Sequence, residues 1–136
     1  MTRYIALVDG EDGAYGVVFP DAPGCVAMAA SQEEVINDAA DALAEWVADE
    51  LADGRALPAA RPVEKLLMDE EVRTALGRGA ILASIPLILE TGKLARANIS
   101  LDAGLLANID EAARNRGVTR SAFLAAAARE KIKARA

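Results

Sequence analysis

The chain has 136 residues, 53% hydrophobic and 26% charged, with a formal net charge of −6, one cysteine and no histidine. This is the composition of a folded protein of one ordinary domain or two small ones, and it excludes a disordered chain. The missing histidine excludes Ser-His-Asp and Cys-His catalysis and most zinc sites, and a lone Cys25 excludes a disulfide framework.

Tyr4 to Val8 predicts a strand and Tyr15 to Phe19 a second, joined through Asp9-Gly10-Glu11-Asp12-Gly13, whose glycines suit a tight connection. Pro20-Asp21-Ala22-Pro23-Gly24 predicts a turn, because proline presets φ and glycine reaches the left-handed region. Cys25 to Ala29 then completes a β-meander. Ser31 followed by Glu34 is a capping-box start. Beyond it Val35, Ile36, Ala39, Ala40, Leu43, Trp46, Val47 and Leu51 recur at helical spacing and predict one buried face. The opposite face carries Glu34, Asp38, Asp41, Glu45 and Asp49. Such a stripe is ordinarily a solvated face; its functional reading is a dock for a basic partner. Gly54 to Pro62 breaks the helix, Glu64 to Gly77 predicts another, and Ile81 to Leu89 a last strand that Pro86 assigns to a sheet edge. The order is that of an α+β domain.

Tyr15, Phe19-Pro20-Asp21, Pro23-Gly24-Cys25, Ser31, Glu34, Asn37 and Ala42-Leu43 resemble the N-terminal domain of the HicB antitoxin family, with Val35 where the family usually has alanine. The resemblance covers about residues 3–50. It implies a partial ribonuclease H-like unit without the nuclease site, and it makes Cys25 a packed strand residue. A nuclease built on Asp9, Glu34, Asp38 and Asp41 is disfavoured, since Glu34 serves as a cap and Asp38 and Asp41 face away from the core.

The charge changes sign along the chain. Residues 1–90 hold 6 Lys and Arg against 17 Asp and Glu, a net of −11, whereas residues 91–136 hold 9 against 4, a net of +5. A basic final third suits phosphate. In it Arg96-Ala97-Asn98-Ile99-Ser100-Leu101 alternates polar and apolar, the pattern of a strand with one buried face. Asp102 is placed to cap a helix running to about Arg116, with Leu105, Leu106, Ile109, Ala112 and Ala113 inward and Gly117 as its stop. Thr119 or Ser121 caps a second helix with Phe123, Leu124, Ala127, Ala128 and Ile132 on its apolar face. A lone strand has two open edges, so strand-helix-helix is expected to be a two-fold dimer.

The segment resembles the ribbon-helix-helix family in Arg96-x-Asn98-Ile99-Ser100-Leu101, Leu105-x-x-x-Ile109-Asp110 and Gly117-x-Thr119-Arg120-Ser121-x-Phe123-Leu124. Gly104 departs from the pattern, standing where such modules more often carry an acidic residue. The resemblance implies a paired ribbon in the DNA major groove, with Arg96 reading guanine, Asn98 adenine and Ser100 either. The backbone at Thr119, Arg120 and Ser121 would hold a phosphate, and Lys93 adds a further phosphate contact.

Together the two resemblances imply an antitoxin with a toxin-binding domain at 1–90 and a DNA-binding, dimerising domain at 91–136. It would neutralise a small basic HicA-type ribonuclease, with Asp38, Asp41 and Glu45 as candidate contacts, and repress its own operon by binding operator DNA as a homodimer, with pairing into tetramers left open. The alternative is a stand-alone regulator whose N-terminal domain binds another partner or ligand. No catalytic residue, metal or cofactor is expected. The stretch from Ala80 to Leu89 is too short to span a bilayer, so a cytoplasmic location is expected.

Overall fold

The computed structural model describes residues 1–134. The chain divides into two compact units, which meet at Leu89 and Glu90. In the first, strands β1 (Arg3–Glu11), β2 (Ala14–Val18) and β3 (Val26–Ala29) precede helix α1 (Gln32–Ala52). Helices α2 (Val63–Leu66) and α3 (Glu70–Gly77) and strand β4 (Ile81–Pro86) follow. All neighbours in the sheet are antiparallel, in the order β3-β2-β1-β4, so β1 is central and β4 is an edge, as Pro86 requires.

Helix α1 begins where Ser31 Oγ accepts from the Glu34 N–H at 3.2 Å, the first half of the expected capping box. Its Val35, Ala39, Leu43 and Val47 pack on Tyr4, Ala6, Val8, Val17, Ala83 and Ile85, which share one face of the sheet. Leu51, expected inward, is exposed instead, in the last turn of the helix. That turn closes with Arg55 N–H on Glu50 C=O at 2.9 Å and the Arg55 guanidinium clamped on the Glu50 carboxylate.

The other face of β1 is covered as well. Leu7 is buried with Leu66, Val72 and Ala80, and Ile5, Ala75 and Leu82 pack around them. The unbroken run Tyr4-Ile5-Ala6-Leu7-Val8 is thus a strand buried on both sides. The helix expected over 64–77 is corrected to two. Asp69 interrupts it and caps α3, accepting from the Glu71 N–H at 2.9 Å.

The connection from α1 to α2 lacks regular structure and is held by two polar contacts. Tyr4 Oη donates to Pro58 C=O at 2.8 Å; burial, then the nearby Asp21 charge, pushes that hydroxyl above its ordinary pKa. Asp21, the one buried acid among the described residues, accepts from Arg61 Nε at 2.6 Å and from the Arg61 N–H at 2.8 Å. The turn at 20–24 therefore serves as an anchor for a segment 40 residues away.

Gly10 lies in β1 opposite Tyr15 with φ of 137°, and a Cβ there would stand 2.2 Å from Ala14 O. The hairpin closes tightly only because that side chain is absent.

In the second unit, helix α4 (Ala103–Asn115) starts at Asp102, whose carboxylate accepts from the Leu105 N–H at 3.0 Å. It ends in a Schellman closure. Val118 N–H bonds Ala113 C=O, Gly117 N–H bonds Arg114 C=O, and Gly117 supplies the positive φ of 68°. Helix α5 (Arg120–Lys133) is capped by Thr119 rather than Ser121, through the Ala122 N–H at 3.1 Å. Gly104 faces the capping carboxylate of Asp102, where a Cβ would lie 3.1 Å from its oxygen.

The strand expected at 96–101 does not form within one chain. Residues 93–102 carry no regular structure, and among the described residues 94–101 make no backbone hydrogen bond. A strand is defined by its ladder, and within one copy this segment forms none.

Candidate functional site

The expected nucleic-acid residues fall into two groups. Lys93, Arg96, Asn98 and Ser100 lie on the unpaired segment and are all exposed. Thr119, Arg120 and Ser121 open α5, where Thr119 caps the helix and backbone N–H groups point away from its start. The guanidinium of Arg116 lies over the Phe123 ring at 5.4 Å, fixing the entry of α5 against the end of α4.

Arg120 is not an open cation. Its Nε and Nη2 each meet a different oxygen of Asp110, both at 2.8 Å, in a bidentate pair between the two helices. Reading the sequence missed this role for Asp110. The signal available was an acid and a base flanking the Gly117 turn, ten positions apart. Arg129 likewise pairs with Glu90 through both Nε and Nη2.

The hydrogen bond from Arg120 holds the Asp110 carboxyl below its ordinary value of 3.8. A folded-state value below the unfolded one makes the pair stabilising above that ordinary value, and the contribution disappears as pH falls through the lowered one. Thermal unfolding of the full chain followed from about pH 6 to about pH 3 should therefore show the second unit losing stability towards the acid end. Asp110→Asn should flatten that loss. An unchanged profile in the variant would remove the pair from the stability of this unit.

In the first unit Asp38, Asp41 and Glu45 are exposed along α1, on the side away from the packed Val35, Ala39, Leu43 and Val47. Among the described residues no group of three His, Cys, Asp or Glu side chains is arranged to hold a metal. Cys25 is buried, and desolvation pushes its thiol up to about 11, so it stays protonated and unreactive.

A family model described as HicB-like antitoxin of bacterial toxin-antitoxin system matches residues 4–128. The chain belongs to this family. It is a regulatory antitoxin of a toxin-antitoxin system and not an enzyme. The antitoxin is similar to the HicB antitoxin of Burkholderia pseudomallei at 29% identity, over 97% of this chain and 99% of that one, with a TM-score of 0.56. It is similar to the antitoxin HicB3 at 26% identity, over 96% and 98% of the two chains, with a TM-score of 0.54. A chain of a toxin-antitoxin complex from Streptococcus pneumoniae shares its fold at 19% identity, over 96% and 98%, with a TM-score of 0.52. No curated protein matches the antitoxin. Among its described residues no helix is long and apolar enough to cross a membrane.

Proposed function

We propose that the antitoxin pairs with a second copy through residues 95–133 as a ribbon-helix-helix dimer. Through that dimer it represses its own operon, and with its first unit, a partial ribonuclease H-like fold, it neutralises a HicA-type ribonuclease. The observation that carries the dimer is how little one copy of the second unit buries. In α4 only Ile109 and Ala113 are buried, and in α5 nothing is. Leu94 is 103% exposed and Ile99 63%, although Ala97, Ile99 and Leu101 form the apolar side of the alternating segment. A module of this size does not persist without an interior, and a second copy supplies one: paired ribbons below, interlocked helices above.

Pairing two copies of 96–101 would place Arg96, Asn98 and Ser100 of each on the opposite face, free for base edges. The Thr119-Arg120-Ser121 start of α5 would then hold phosphate on either side, provided Arg120 releases or shares Asp110. A toxin partner is supported by family membership and by the occurrence of this fold in the Streptococcus pneumoniae toxin-antitoxin complex. The net charge of −11 over 1–90 suits a basic partner, and Asp38, Asp41 and Glu45 are placed to steer its approach.

Sedimentation of the full chain at low micromolar concentration tests the dimer. At least a dimer is expected, and a clean monomer overturns the ribbon-helix-helix assignment. Co-expression with the product of the adjacent reading frame, followed by copurification, tests the toxin partner.

A further inference from the structure

One half of the sheet is left uncovered. The register places Leu7, Val18 and Val26 in one row across β1, β2 and β3, and Asp9, Gly16 and Met28 in the next. Residues paired across an antiparallel sheet share a face, so both rows lie on the side of Leu7, the side that α2 and α3 cover. The cover stops at β1 and β4. Beyond it Val18 is 48% exposed, Val26 59% and Met28 79%, whereas Tyr15, Val17, Ala27 and Ala29 of the same two strands pack against the α1 core. Between these strands and α3 runs a groove of about 340 Å³, floored by Leu7, Val18, Phe19 and Val26.

The charged residues lining the groove are both acids, Asp69 and Glu71. Asp69 is committed to capping α3 and to Arg61, but Glu71 and Asp9 form no ion pair among the described residues. The result is an apolar centre with an acidic rim. That is the anatomy of a contact surface, which the all-acidic stripe on α1 lacks. A second copy would set this acidic rim against itself, and like charges brought together across an interface cost several kcal/mol. A basic protein that presents apolar side chains among its cations fits it.

The geometry points to the open β2–β3 face, centred on Val18, Val26 and Met28 and bordered by Glu71 and Asp9, as the surface on which the antitoxin seats its basic toxin. This deepens the toxin-binding reading and rests on it. The stripe of Asp38, Asp41 and Glu45 guides the approach; the sheet face holds the toxin.

Gly16 gives an independent handle. A Cβ there would meet only Ala27 O, at 3.9 Å, so the backbone tolerates a side chain that would rise into the middle of the face. Purified product of the adjacent reading frame is the probe, titrated against full-length antitoxin carrying Val26→Asp with Met28→Asp, or Gly16→Val alone. Each variant is first checked for an unchanged melting transition and unchanged sedimentation. Binding weaker by roughly 30- to 1000-fold is expected for the double variant, the range of central contact residues, with a similar loss for Gly16→Val. Charge reversal at Asp38, Asp41 and Glu45 should instead slow association in a salt-sensitive way. If the parent binds the probe and the face variants bind it equally well, the toxin seats elsewhere and the inference is overturned. If the face variants change the sedimentation of the antitoxin alone, the face is a contact between copies, which also overturns it. If the parent itself does not bind, the toxin-binding reading fails and the inference fails with it.

Discussion

Changing Arg96 and Asn98 together to alanine should abolish operator binding and leave toxin neutralisation at the level of the parent. Both side chains are exposed on a segment whose packed positions in the proposed dimer are Ala97, Ile99 and Leu101. Removing the polar face therefore takes nothing from the interior, and the fold and the dimer should persist. Each bidentate base contact contributes on the order of 1–3 kcal/mol of discrimination, about 5- to 150-fold. The loss doubles over two residues and is repeated in the second half-site. What remains is salt-sensitive phosphate attraction from Lys93 and its neighbours, without sequence preference. Gel-shift titration against the operator and against scrambled DNA measures the loss, and protection of cells from the neighbouring gene's product measures what is retained. An undiminished preference for the operator would remove the ribbon as the reader. Loss of protection by a folded, expressed variant would remove the division of labour between the two units.

Gly10→Ala should be strongly damaging to the first unit. The new Cβ would lie 2.2 Å from Ala14 O and 2.7 Å from Tyr15 Cα, and the backbone angle of 137° is one that L side chains rarely adopt. Neither neighbour is a side chain that can swing away. The pairing of β1 with β2 must open locally, at a cost of about 2–4 kcal/mol when strain and lost ladder bonds are combined. For a unit of this size that lowers the melting temperature by roughly 10–25 °C. Gly13→Ala, whose Cβ meets nothing within 4 Å but whose φ is 92°, carries strain alone and should cost less. Equal melting temperatures for Gly10→Ala and the parent would mean that the hairpin can rearrange without penalty.

Those elements whose cause is local could be read from the chain. Ser31, Asp102, Thr119 and Gly117 act within three or four residues of themselves, and Pro20 to Gly24 dictate their own turn. The double burial of β1 agrees with its unbroken apolar run, Tyr4 to Val8. Contacts between distant residues carried no such signal. Nothing near Asp21 announces Arg61. The uncovered half of the sheet is invisible in sequence for the same reason: Val26 and Met28 alternate with Ala27 and Ala29 as any strand would. Only the short reach of α2 and α3 leaves them bare.

The scarcity of buried side chains in the second unit has a kinetic meaning for the cell. In the proposed dimer the reader of DNA would be completed only when two copies meet, so operator occupancy below the dimer's dissociation constant would follow the square of antitoxin concentration, while the proposed capture of toxin by the first unit would follow its first power. On that proposal, depletion of the antitoxin would release transcription before the last toxin molecules go uncaptured, and fresh antitoxin would already be made while neutralisation still held.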